Sequence, residues 1–211
     1  MPDLHVVERY FDAVQSLGVT NDQRPSEFKI NSSEIVDVRK TFGLDKFQFI
    51  SVAIGAQFKT KQMPKELLIS VLKEIEIPMI LIGGTTDEEL AKEIMTSLIG
   101  HKIYNACGQF SIQASASIVS QSLKVLTNDT GMMHIASCFN IPIVSVWGST
   151  VPAFGMYPYY PGHKEMFSIH EVEGLSCRPC SKIGFQKCPK GHFNCMNQQN
   201  VDVIVKSLLN P

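Results

Sequence analysis

The sequence predicts an α/β protein built on a doubly wound parallel sheet. Several runs are apolar along their whole length rather than on alternate residues, the pattern of strands buried on both faces. Segments with apolar residues at helical spacing separate these runs, so each strand reaches the next through a crossover helix. The strand candidates also end in polar, Gly-bearing loops, where the chain leaves the carboxyl edge of such a sheet.

The elements follow in order. "FQFISVAIG" (Phe47–Gly55) is β-branched and aromatic, and reads as the first strand. "PKELLISVLKEI" (Pro64–Ile75) spaces Leu67, Leu68, Val71, Leu72 and Ile75 as one helix face, with Pro64 suited to the first helical position. "IPMILIGG" (Ile77–Gly84) is the second strand, and "DEELAKEIMTSLI" (Asp87–Ile99) a helix with an acidic first turn that suits its dipole. A short strand is expected around Ile103–Ala106, and a helix rich in small residues over Ser111–Ser122. "LKVLTND" (Leu123–Asp129), "MMHIASCFN" (Met132–Asn140) and "IPIVSVWGS" (Ile141–Ser149) complete the alternation as strand, helix and strand. Outside it, Pro2–Gly18 reads as an amphipathic helix and Thr20–Ser33 as a linker with an extended piece at Phe28–Ile30. Ser32–Leu44 reads as a helix with a Ser N-cap, Val151–His163 as a Pro- and Gly-rich loop, and Gln198–Asn210 as a closing helix.

Composition narrows the function classes. The chain has 211 residues, 44% hydrophobic and 18% charged, enough to bury a core. A formal net charge of -1 gives no field to gather nucleic acid or an anionic membrane. No apolar run reaches the ~18 residues of a membrane span, and the N-terminus lacks the layout of a secretion signal. A cytoplasmic protein is the expectation.

In such sheets ligands bind outside the carboxyl ends of the strands. Four loops meet there: "GAQFKTK", "GGTTDE", "NDTG" and "GSTVP". In "NDTG" the chain leaves a strand at Asp129 and enters a helix at Thr130 or Gly131. The first N–H groups of that helix lack internal partners, Gly131 leaves an anion room to approach, Thr130 adds a hydroxyl, and His134 follows one turn later. The plainer reading is that Asp129 or Thr130 caps the helix while His134 packs against a neighbour. Lys61 and the Gly83–Glu88 loop, on the same edge, favour a nucleotide diphosphate. Neither GxxxxGK[ST] nor GxGxxG occurs, so ATPase and dinucleotide readings find no support.

"LTNDTGMMHIASCFNIPIVSVWGSTVP" resembles the signature of glycosyltransferase family 9, the ADP-heptose:lipopolysaccharide heptosyltransferases: an Asp-Thr/Ser-Gly-x-x-His motif, a helix, and a strand ending in Gly-Pro-Thr. "ILIGGTTDEELAKEI", "GAQFKTKQMPKE" and "CRPCSKIGFQKCPKGHFNCM" resemble further family segments in the same order. The resemblance implies a GT-B fold, with this chain as its Rossmann-like C-terminal half. Residues 1–45 would then be an interdomain helix and linker, 46–176 the nucleotide-sugar domain, and 177–211 a cysteine-bearing tail and closing helix. It implies that Thr130, Gly131 and His134 hold the donor diphosphate and that Lys61 neutralises it without a metal cofactor. Asp129 would lie by the sugar or cap the helix, and Asp87 or Glu88 would meet the ribose or base. It further implies an inverting transfer from an ADP-heptose-like donor to a lipid-linked, lipopolysaccharide-type acceptor in a bacterial cytoplasm, peripheral to the inner membrane in the full-length protein. The acceptor domain and its catalytic base are expected in an N-terminal half absent from this sequence, so no residue here is assigned a catalytic role. Met63, where the family usually has Trp, and Ser149, where it has Pro, bear on the identity of the donor.

Cys177, Cys180, Cys188 and Cys195 lie close enough in sequence for a four-thiolate zinc site, with His192 as a spare ligand; the plainer reading is reduced thiols packing an irregular tail. Two other readings stay open: a non-catalytic zinc-binding or interaction module on an α/β scaffold, and a different nucleotide-sugar enzyme with the same edge.

Overall fold

The computed structural model describes residues 4–210. Its centre is a parallel sheet of six strands: β1 (Ile50–Ala53), β2 (Met79–Ile82), β3 (Ile103–Asn105), β4 (Lys124–Asn128), β5 (Ile143–Trp147) and β6 (Phe167–Glu171). They lie in the order β3-β2-β1-β4-β5-β6. The chain builds outward from β1 to one edge, then returns to β4 on the other side. Ile50 to Ala53 of β1 align with Met79 to Ile82 on one flank and with Lys124 to Thr127 on the other. The reversal opens a crevice where β1 and β4 end, the position that binds ligands in doubly wound sheets.

The sheet is apolar on both faces because a hydrophobic layer covers each. Side chains alternate between the layers with the strand period of two. Ile50, Val52, Leu81, Leu126 and Val144 join one cluster with Leu68, Val71 and Ile94, carried by or beside α3 (Lys65–Leu72) and α4 (Glu88–Ser97); α8 (Val201–Leu209) adds Ile204 and Leu208. Ile80, Ile82, Val125, Ile143 and Trp147 face the opposite way. They meet Val38 of α2 (Val38–Phe42), Ile118 of α5 (Ile112–Val119) and Met133 of α6 (Gly131–Ser137). The expected helix at the N-terminus is α1 (Val6–Val14), followed by a 3-10 turn over Gln15–Leu17 and Gly18 at φ +74°; Pro2 and Asp3 of that expectation lie outside the described residues.

Two local expectations change. Ser32 opens only a 3-10 turn over Ser32–Glu34, and the helix begins at Val38, where the Asp37 carboxylate accepts from the Arg39 and Lys40 N–H groups at 3.1 and 3.2 Å. The reason lies in α5 and the turn that follows it: the Val36 N–H donates to Ser117 Oγ at 2.9 Å and Gln121 Nε2 donates to the Val36 carbonyl at 2.9 Å. These bonds hold the intervening backbone extended against its neighbour. The second change is β6, which the sequence reading left without an element. It is an edge strand, half-buried through most of its length, and pairs Phe167 to Glu171 with Ile143 to Trp147.

Candidate functional site

Three strand ends are tied together at the crevice. Beyond β1, the turn Lys59–Lys61 brings Lys61 Nζ to 2.7 Å from Asp129 Oδ2, with side chains 17% and 9% exposed. Beyond β5, Thr150 Oγ1 donates to the same carboxylate oxygen at 2.8 Å. One residue earlier, Asn128 Oδ1 accepts the Met63 N–H at 3.0 Å while its amide donates to the Ala53 carbonyl at 3.3 Å. Asp129 and Asn128 thus fix the loop after β1 against the end of β4.

Asp129 is therefore not a helix cap. Thr130 stands at the N-cap of α6 with extended backbone and makes no side-chain capping bond. The start of the helix is open toward the crevice, and a Cβ added at Gly131 would meet no atom within 4 Å. Two adjoining cavities flank this point. The larger, about 440 Å³, is lined by Gly55, Gly83, Asp87, Phe110, Thr130 and Gly131 among others. The smaller, about 240 Å³, is lined by Lys61, Asp129, Trp147, Thr150, Phe154 and Lys182 among others. Gln57 borders both. The larger is mostly apolar, with Ala53, Ile82 and Met132 in its walls and Asp87 as its charged residue; the smaller holds Lys61, Asp129 and Lys182. A ligand with a flat, weakly polar end and an anionic middle fits across them.

Residues 1–183 match the family description "Glycosyltransferase family 9 (heptosyltransferase)". The chain belongs to glycosyltransferase family 9. A relative within the family, lipopolysaccharide heptosyltransferase 2 of Escherichia coli K12, is 23% identical over 164 residues, covering 71% of this chain and 47% of that protein. The solved structure of E. coli ADP-heptose lipopolysaccharide heptosyltransferase II superposes with a TM-score of 0.72 at 17% identity, over 97% of this chain and 61% of that one. The family 9 structure from Veillonella parvula DSM 2008 gives 0.77 at 20% identity, over 97% and 59%. The fold is thus a Rossmann-like α/β half of the family's GT-B architecture, and the chain spans about half the length of the curated relative.

The other residues singled out in the sequence fall as follows. His134 lies on α6 outside both cavity linings but within the field of the site. Burial pushes its pKa below 6.5, Asp129 pulls it back, and His5 and Lys61 push it down again. It therefore adds little positive charge at neutral pH. Asp87 borders the larger cavity, but its carboxylate accepts the Gly84 N–H at 2.9 Å and the Gln62 amide at 3.4 Å. It closes the glycine turn, and Gly55 and Gly83 leave the space it fills. Glu88 opens α4 with its side chain against Gly108, away from the cavity lining. Met63 is buried in the core at 1% exposure and takes no part in either cavity.

The four cysteines proposed for zinc lie together in the irregular tail. Among the described residues no group of three or more His, Cys, Asp or Glu side chains is placed to hold a metal ion. The four tail thiols nevertheless lie near enough to act on one another: beyond desolvation, the leading cause in both, Cys177 and Cys188 raise the Cys180 thiol, and Cys180, Cys188 and Cys177 raise that of Cys195. Cys195 is buried on α7 (Asn194–Asn197), where desolvation pushes its thiol up to about 11. Cys180 Sγ donates to the Cys177 carbonyl at 3.1 Å, and Cys177 Sγ lies 3.9 Å from His192 Nε2. At Cys188 desolvation pushes the thiol up, but the N–H groups of Phe193, Lys190, Gly191 and His192 outweigh it and hold its pKa below the ordinary value.

Arg178 was hidden inside the "CRPC" that drew attention only to its cysteines. Its guanidinium, 6% exposed, donates to the carbonyls of Gly148 at 2.6 Å, Thr150 at 2.8 Å and Val172 at 3.0 Å, and pairs with Glu171 at 2.8 Å. Thr150 itself was legible only as one small donor among several.

Proposed function

We propose that this chain is the donor-binding half of an inverting, metal-independent heptosyltransferase, taking an ADP-heptose-like nucleotide sugar. The observation that carries the reading is the pair of cavities meeting at Asp129–Thr130–Gly131 on the sheet's switch point, in a family 9 chain. The base and ribose occupy the larger cavity, against Phe110 and Met132. The diphosphate crosses the open start of α6 into the mouth of the smaller cavity, within reach of the Lys61 ammonium. The sugar enters the smaller cavity beside Thr150 and Phe154.

In the transfer, the acceptor hydroxyl attacks the anomeric carbon from the face opposite the diphosphate. The bond to the diphosphate oxygen breaks, the nucleotide leaves, and the configuration inverts. Lys61 and the α6 backbone N–H groups stabilise the charge that grows on the leaving group. The acceptor is a lipid-linked saccharide presented by a companion domain, and the base that takes its proton is assigned to no residue of this chain.

Titration calorimetry with ADP in the presence of EDTA tests the reading. ADP is expected to bind, and Lys61→Ala and Gly131→Val are each expected to weaken it about tenfold or more. Absence of binding, loss of binding on chelation, or affinity unchanged in both variants overturns it.

A further inference from the structure

We propose that the loop Ser181–Phe185 of the cysteine-bearing tail forms a wall of the donor cleft, with Lys182 contacting the donor's anionic portion and Gly184 setting the reach of Lys61. The proposal rests on the donor-site reading above and adds residues from a part of the chain outside the sheet.

The first argument is electrostatic. Lys61 and Asp129 form a 2.7 Å ion pair with little exposure, so together they present no net charge to a ligand. Each phosphate of a sugar-linked diphosphate is anionic. Lys182 is the other basic side chain lining the smaller cavity. Among the described residues it has no carboxylate at ion-pair distance. Its charge is uncommitted, at the place where a second positive charge is needed.

The second argument is that the loop is fixed in position. At its start, the Cys180 N–H donates to the Ser149 carbonyl at 2.9 Å. At its end, the Phe185 N–H donates to Thr60 Oγ1 at 2.8 Å, and the Thr60 N–H donates to the Phe185 carbonyl at 3.0 Å. Within it, Ser181 Oγ accepts from the Gly184 N–H at 2.6 Å. Thr60 and Ser149 directly precede Lys61 and Thr150, the two partners of Asp129. The loop therefore shares its anchors with the site.

The third argument concerns Gly184. Its φ is +105°, and a Cβ there would lie 2.8 Å from Phe58 Cβ and 3.1 and 3.2 Å from Lys61 Cγ and Cδ. The bare backbone lies against the stem of Lys61 and limits where its ammonium can go. Gly184 is a positioning residue, acting through Lys61.

Calorimetric titration of the chain with ADP and with adenosine separates the possibilities. Lys182→Ala is expected to weaken ADP about tenfold, Lys182→Glu more, and Lys182→Arg to restore it, with adenosine affinity unchanged throughout. Gly184→Ala is expected to weaken ADP in the native background but not when added to Lys61→Ala, the signature of action through that lysine. Equal ADP affinity in Lys182→Ala and the native chain overturns the role of Lys182, as does a parallel loss of adenosine. Additive effects in the Gly184 cycle overturn its positioning role. If ADP binding depends on Lys61 but on neither loop residue, this inference alone fails; if the native chain binds no ADP, the donor reading fails with it.

Discussion

Asp129 illustrates how a single carboxylate can both assemble and restrain a binding site. It holds Lys61 and Thr150 from loops on either side of it, yet it places a negative charge beside the proposed diphosphate position. Removing that charge while keeping the shape separates the two effects. Asp129→Asn is expected to tighten ADP by about three- to tenfold, because Lys61 is released from its ion pair and a repulsive carboxylate is lost. Calorimetry reads this directly, and weaker ADP binding in the variant would show that assembly outweighs repulsion. At this scale the sequence was informative about residue types. Lys61, Asp129, Thr130 and Gly131 do border the two cavities. It could not reveal that Asp129 neutralises Lys61, because that pairing closes a 68-residue gap through folding alone.

Among the elements, β1 and β4 matter most, since the site sits at their ends. Asn128 is fully buried and joins them: its amide reaches the Ala53 carbonyl, and its oxygen takes the Met63 N–H. Asn128→Ala leaves that buried N–H without its partner. The expected cost is about 1–3 kcal/mol of folding stability, measured by denaturant unfolding; a change below about 0.5 kcal/mol would mean another group replaces the bond. The sequence grouped Asn128 with the anion loop, because spacing alone cannot distinguish a side chain facing a ligand from one facing its own strand. Strands β1, β2, β4 and β5 were readable because each is buried on both faces and apolar throughout. The strand β6 was not, since an edge strand has one neighbour and its "FSIHE" carries only a weak alternation. The Ser32–Leu44 segment failed for a different reason: its helical spacing was overridden by bonds to α5 and the turn that follows it, which lie far along the chain.

Taken as a whole, the molecule is expected to respond to acid through one buried imidazole, His5, and two half-buried ones, His134 and His170. His5 accepts the Val7 N–H at Nδ1, at 3.2 Å, so Nε2 carries the proton that meets the Tyr157 carbonyl at 2.7 Å. Desolvation is the leading cause that pushes His5, His134 and His170 below 6.5. A histidine depressed in this way binds fewer protons folded than unfolded. Its contribution to stability is complete above 6.5 and is lost as pH falls through 6.5 toward the folded value. The melting temperature is therefore expected to drop by several degrees between pH 7.5 and 5.5. A flat profile in thermal denaturation would contradict that expectation, and His5→Gln should blunt the slope. The doubly wound class was legible from the sequence, but the strand order was not, because it is set by pairings between distant segments. None of the described helices is long and apolar enough to cross a membrane.

Arg178 ties these scales together. Its guanidinium binds the carbonyls that follow β5 and the one that follows β6, from a segment with no regular structure of its own. The irregular tail and the ligand cleft are consequently one mechanical unit. On the donor-site reading, cleavage or chemical modification of the tail is expected to weaken ADP binding before it lowers the melting temperature, because Arg178 carries the change to the loop after β5 without involving the hydrophobic core.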